Sequence, residues 1–149
     1  MRLNVIVSLL LALVLPVMPL AAPSDHIIRV EGDTLAGNYL FEVLQRSEPH
    51  KETLAGLLRG QRGLPNWVRN MVNRGNYVAS ASQQVDVGGV SMELFSVCQP
   101  HNCSDSQVKA LFSADGKKVY LRVRDTKTGE LFLGDPGEAE KAPLMRDGL

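Results

Sequence analysis

The chain has 149 residues, and its 16 Lys and Arg side chains are balanced by 16 Asp and Glu side chains, so the formal net charge is zero. This balance argues against the broad basic surface with which proteins bind nucleic acid or an anionic membrane. The length suits one domain with one hydrophobic core, and the sequence contains no internal repeat or low-complexity tract.

Residues 1–22 are typical of a secretory signal peptide. Arg2 precedes an apolar run from Leu3 to Leu15, and small residues follow at Ala21 and Ala22. The run is shorter than the roughly 20 apolar residues that span a bilayer. We therefore expect a signal peptide over 1–22 and a single exported domain over 23–149, with no membrane association of the mature form. A buried N-terminal helix is the alternative interpretation of this segment.

The first part of the mature chain shows helical patterns. Hydrophobic residues recur at helical spacing and predict an amphipathic helix over 34–46, with Thr34 as a cap. A second helix is expected over 49–58, where Pro49 suits the first turn. A short helical segment is expected over 65–71.

From Ser82 onward the hydrophobic period changes to two, which is typical of strands. The predicted strands lie near 85–87, 90–97, 108–112, 119–124 and 131–133, and Gly88-Gly89 predicts a hairpin turn between the first two. Because 90–97 is apolar on both faces towards its end, we expect a central strand that is covered on both sides. The sequence 135–138, with Asp135 as an acid cap and Pro136 at the first helical position, predicts the start of a final short helix. The expected fold is α+β, a single domain with a central five-stranded antiparallel meander sheet flanked by helices.

The only two cysteines of the chain, Cys98 and Cys103, enclose a proline and a histidine in the connection between two predicted strands. In an exported protein we expect them to pair. A ring of about six residues adds only about 2 kcal/mol by loop closure, so its use is to order a loop rather than to hold a domain together. Pro100 fixes its own φ angle, and His101 at the apex offers two ring nitrogens to a partner. Such a loop is preorganised for binding.

These residues also admit other interpretations. An isolated loop histidine is often merely solvated. A zinc site made by Cys98, His101 and Cys103 lacks the fourth ligand and the second ligand pair that structural zinc requires. A thiol redox enzyme more naturally carries Cys-x-x-Cys at a helix start. The glycosylation pattern at 102–104 has a ring-forming cysteine at its centre and is interpreted as accidental.

The sequence contains no recognisable enzyme constellation. It lacks a serine nucleophile elbow, a phosphate-binding glycine loop and a helical metal motif. The acids Asp86, Glu93, Asp105 and Asp115 are expected on solvated strand faces or in turns. We therefore predict no catalytic residue, no metal and no cofactor, and a protein that is not an enzyme.

The ring Cys98-Gln99-Pro100-His101-Asn102-Cys103 resembles the signature loop of the Ivy family, the inhibitors of vertebrate lysozyme. That loop is typically Cys-Lys-Pro-His-Asp-Cys, so Gln99 and Asn102 replace a lysine and an aspartate. The segment 64–68, Leu-Pro-Asn-Trp-Val, resembles the Leu-Pro-x-Trp-Val segment of the same family. The likeness extends over about residues 54–133.

The resemblance implies a periplasmic bacterial protein that binds C-type lysozyme and blocks its active site, on an antiparallel sheet flanked by helices. The ring would enter the cleft, and His101 would reach between the catalytic carboxylates while Pro100, Gln99 and Asn102 contact the lysozyme. The alternative is a periplasmic binding module or regulator of a bacterial peptidoglycan-cleaving enzyme such as a lytic transglycosylase. Trp67 is expected to anchor the core rather than to bind a partner. Both a monomer and a homodimer are compatible with the sequence.

Overall fold

A computed structural model describes residues 35–149, which belong to one compact unit. The predicted signal peptide and the proposed cap Thr34 lie outside the described residues. None of the helices within 35–149 is long and apolar enough to cross a membrane.

The described residues form four helices and six strands. Their bounds are α1 Leu40–Arg46, α2 Glu48–Leu58, α3 Asn66–Arg69, β1 Val78–Ala79, β2 Gln83–Val87, β3 Val90–Cys98, β4 Ser106–Ser113, β5 Val119–Asp125, β6 Gly129–Leu133 and α4 Glu138–Leu144.

All strand pairs are antiparallel, and β2 to β6 pair in sequence order as the predicted meander. A sixth strand, β1, was not predicted, and it pairs with the last two residues of β3. A strand of two residues is too short to show an alternating pattern, so no periodicity could have revealed it. The α+β prediction is confirmed, with six strands instead of five.

Helices cover the sheet on both faces. The larger core lies between one face and helices α1, α2 and α3, and it includes Leu44, Leu54, Val68, Phe95 and Phe112. The smaller core places Leu144 of α4 against residues of β2, β3 and β4 on the other face. Strand β3 is buried from Met92 to Cys98, which confirms the prediction of a central strand covered on both sides.

The first predicted helix begins later than expected, at Leu40 instead of residue 34. Gly37 has a φ angle of +86°, which is incompatible with a right-handed helix. The backbone around Asn38 is also hydrogen-bonded to Ser82, which holds the chain there outside the helix.

The last helix also starts later than its sequence signal suggests. The predicted acid cap, Asp135, has a φ angle of +53°, and the residue that precedes the helix is Gly137. The second helix agrees closely with its prediction, since it covers Glu48–Leu58 and contains Pro49 in its first turn.

Candidate functional site

The ring connects two central strands of the sheet. Cys98 is the last residue of β3, its strand partner on β4 is Gln107, and the chain re-enters the sheet at Ser106. The expected disulfide between Cys98 and Cys103 is present, with the two Cα atoms 4.9 Å apart. Cys98 is fully buried, whereas Cys103 is half-buried. The ring therefore has one end fixed in the core and projects from the end of the sheet.

A tight turn forms the apex of the ring. The backbone N–H of Asn102 donates to the carbonyl oxygen of Gln99 at 3.0 Å, with Pro100 and His101 as the central residues. His101 has a φ angle of +62°. Proline followed by a residue of positive φ is the arrangement of a type II turn, in which glycine or asparagine is usual at the second central position. His101 is exposed there, so the turn presents the imidazole to solvent.

The other candidate binding residues brace the turn. The Asn102 side-chain Nδ2 donates to Gln99 Oε1 at 3.1 Å, and Gln99, Pro100 and Asn102 are all half-buried. The backbone N–H of Gln99 donates to the Ser106 carbonyl at 3.0 Å, and the Ser106 N–H donates back to the Asn102 carbonyl at 3.0 Å. The structure thus brings the four candidates together in one turn, with His101 the most accessible of them.

A chain of buried and partly buried hydrogen bonds supports the base of the ring. The Trp67 indole N–H donates to Ser106 Oγ at 2.8 Å, and Ser106 Oγ donates to Asp125 Oδ2 at 2.6 Å. The backbone N–H groups of Lys127 and Thr128 donate to the other Asp125 oxygen. Burial acts to raise the pKa of Asp125, but these hydrogen bonds outweigh it and leave the pKa below its usual value.

Trp67 has two roles, and only its packing in the core was predicted from the sequence. As predicted, Trp67 packs against the larger core. Its hydrogen bond to Ser106 joins positions 39 residues apart, and no local pattern reports such a contact. The residue type was the one signal in the sequence that could have indicated this hydrogen bond, because the N–H of a buried tryptophan usually has an acceptor.

One expectation about the acids is wrong. Glu93 is only 4% exposed, and its Oε1 accepts hydrogen bonds from Asn38 Nδ2 and Ser82 Oγ, each at 2.7 Å. The alternation of β3 places Glu93 on the same side as Phe95 and Val97, which face α1 to α3. Its two partners compensate for burial and tie the segment before α1 to the sheet. Asp86, Asp105 and Asp115 are exposed, as expected.

The disulfide affects the two alternative interpretations of the cysteines, a zinc site and a thiol redox enzyme. Both sulfur atoms belong to the disulfide, and there is no free cysteine within residues 35–149. The thiolates that those interpretations require are therefore not present in this structure. Over the same residues, no three His, Cys, Asp or Glu side chains are grouped as a metal site would need.

Comparison with protein-family models finds no match to the chain. An uncharacterised protein of Yersinia pestis is 28% identical over 106 residues. The aligned region covers 70% of this chain and 66% of that protein, slightly less than two thirds of its length. The match shows that a similar sequence exists in Yersinia pestis and carries no statement of activity.

Proposed function

We propose that the protein inhibits C-type lysozyme in the bacterial periplasm by inserting the Cys98–Cys103 ring into the active-site cleft. The observation that carries the proposal is an exposed imidazole held at the apex of a disulfide-closed turn. We infer C-type lysozyme as the target because the ring and the segment at 64–68 resemble the Ivy family. In this role the protein protects peptidoglycan from host lysozyme.

The chemistry of the target suits such a plug. Lysozyme cleaves its substrate between two carboxyl groups, one protonated with a raised pKa and one ionised. An imidazole can donate a hydrogen bond from one nitrogen and accept or donate at the other, so it can satisfy both groups at once. His101 would then form hydrogen bonds to both catalytic carboxyl groups of the lysozyme, and the ring would exclude saccharide and water from the cleft.

The rigidity of the loop favours tight binding. The disulfide, Pro100 and the Gln99–Asn102 hydrogen bonds restrict the turn before any partner is met. Conformational entropy that the loop has already lost in the folded protein does not oppose association. The hydrogen bonds from Trp67 to Ser106 and on to Asp125 extend this order into the sheet.

Inhibition assays against two enzyme classes test the proposal. The protein, expressed as the full chain and purified after export, is added to peptidoglycan that is being cleaved by a C-type lysozyme or by a lytic transglycosylase. Dose-dependent inhibition of the lysozyme is expected. Inhibition of the transglycosylase alone would replace the proposal with the alternative regulator role, and inhibition of neither would refute both.

A further inference from the structure

Arg124 lies beside the ring. It belongs to β5, where its strand partner is Gln107, and Gln107 in turn pairs with Cys98 across β3 and β4. The exposed Arg124 side chain donates from Nη2 to the carbonyl oxygen of Ser104 at 3.3 Å. Because Ser104 directly follows the ring-closing Cys103, this bond holds a guanidinium next to the base of the ring.

This guanidinium has no carboxylate partner among residues 35–149. Its neighbour across the β5–β6 pair is Glu130, but that carboxylate is bonded to Arg122, with 2.6 Å between Arg122 Nε and Glu130 Oε1. The other ion pairs of the described residues lie within α1, α2 and α4. The positive charge of Arg124 is therefore available to a partner.

The surroundings of Arg124 are themselves cationic. Buried Lys109 lies on the same sheet face, with its ammonium bonded to Ser96 Oγ at 3.1 Å and to the Gly148 carbonyl at 2.6 Å. Burial lowers the pKa of Lys109, and neighbouring arginines, Arg124 among them, lower it further, whereas Asp147 opposes them. Arg124 therefore shares its sheet face with two further cations, Lys109 and Arg122.

We propose that Arg124 is a further binding contact beside the ring and takes a carboxylate on the rim of the cleft that the ring enters. The inference rests on the proposed function and identifies a further residue of the same interface. A guanidinium carries five donors in a planar fork that matches a carboxylate, and Ser104 uses only one of them. The ring itself contains no Lys, Arg, Asp or Glu, so Arg124 supplies the permanent charge of this interface.

Charge substitutions at two ends of the sheet test the inference. Arg124→Gln and Arg124→Glu are compared with Lys118→Gln and Lys118→Glu, because Lys118 is an exposed cation in the turn between β4 and β5, at the sheet end away from the ring. The Lys118 pair corrects for the change in net charge. Association and dissociation rates with a C-type lysozyme are measured at two salt concentrations.

We expect Arg124→Gln to weaken binding about tenfold, mostly through slower association and more strongly at the lower salt concentration, and Arg124→Glu to weaken it about a hundredfold because two carboxylates would then face each other. The Lys118 variants should stay within about twofold of the parent. Equal losses for Arg124→Gln and Arg124→Glu would show that Arg124 only positions the ring through Ser104 and would overturn the inference. Losses no larger than those of the Lys118 pair would also overturn it. A parent protein that does not bind lysozyme would instead refute the proposed function on which the inference depends.

Discussion

At the scale of single residues, His101 combines an accessible side chain with an unfavourable backbone conformation. Its φ angle of +62° belongs to the left-handed region, which costs a residue with a β-carbon roughly 1–2 kcal/mol. The sequence predicted the apex position from the spacing of the cysteines and Pro100. It could not predict the positive φ angle, because histidine is not the residue that such a turn usually selects.

The strain at position 101 predicts that stability and inhibition respond in opposite directions. His101→Gly removes the imidazole and relieves the backbone, while glycine adds entropy to the unfolded chain. We expect the free energy of unfolding in urea to stay level or to rise by up to about 1 kcal/mol, while inhibition is lost. A clear loss of stability in His101→Gly would contradict the strain at this position, and retained inhibition would contradict the role of the imidazole in binding.

Buried His50 predicts a dependence of stability on pH. It is 7% exposed, its Nδ1 lies 2.7 Å from Ser47 Oγ, and its ring packs on Phe112 with 5.0 Å between centroids. Burial lowers the pKa of His50 below its usual 6.5, and the negative charge of Asp115 only partly opposes this. The unfolded chain therefore binds the proton more readily than the folded one, so stability is complete above pH 6.5 and falls as the pH drops below that value.

Urea unfolding at pH 7.5 and pH 5.0 measures this effect. The free energy of unfolding of the parent should be lower at the acidic pH than at the neutral one. The decrease should be distinctly smaller in His50→Gln, because glutamine does not titrate. The lowered pKa values of Asp115 and Asp125 place their titration below the usual 3.8, outside this window. An unchanged pH dependence in His50→Gln would show that His50 does not control it.

At the scale of elements, the ring depends on contacts that are distant in sequence. The strands on either side of it were predictable from their period of two, and so was the Gly88-Gly89 turn, where both glycines have positive φ angles. The hydrogen bonds from Trp67 through Ser106 to Asp125 were not predictable, because they join α3 with the start of β4 and the end of β5. The buried state of Glu93 was missed for the same reason, since its partners Asn38 and Ser82 lie outside its strand.

Removal of the central hydroxyl tests the support beneath the ring. Ser106→Ala leaves the Trp67 indole and one Asp125 oxygen without their partner, and we expect a loss of about 1–3 kcal/mol in the free energy of unfolding. Ser104→Ala is the matched control, because Ser104 is exposed and only its backbone carbonyl accepts a bond from Arg124. The control should change stability by less than about 0.5 kcal/mol. Equal stability of the two variants would contradict a supporting role for Ser106.

Opening the ring separates loop order from global stability. In a double variant, Cys98→Ala with Cys103→Ala, the loop-closure contribution of about 2 kcal/mol is lost from the free energy of unfolding. Inhibition of lysozyme should fall by more than about tenfold, because the turn must then be ordered on binding. A double variant that inhibits as well as the parent would show that closure of the ring is unnecessary.

At the scale of the whole molecule, the fold places the ring at the end of two largely buried strands. Strands β3 and β4 are buried over most of their length and lie between two helical layers. The sequence predicted the fold class, the meander and the disulfide, because each of these follows from periodicity or from cysteine count. Where the chain departs from the predicted helix starts, at Gly37 and Asp135, a positive φ angle or a tertiary contact decides the conformation. Net charge offers little guidance to the target, since the chain carries 16 basic and 16 acidic side chains and the predicted removal of residues 1–22 would take away only Arg2 among them.

The inhibition constant of the parent and of His101→Ala against a C-type lysozyme tests the central claim most directly. We predict that the parent inhibits and that His101→Ala is weaker by about 2 kcal/mol or more, roughly thirtyfold, as expected for a central anchor in a desolvated cleft. The circular dichroism spectrum and the urea unfolding curve of His101→Ala should match those of the parent. A parent that does not inhibit would contradict the proposed function, and a His101→Ala variant that inhibits as strongly as the parent would contradict the role of the ring apex.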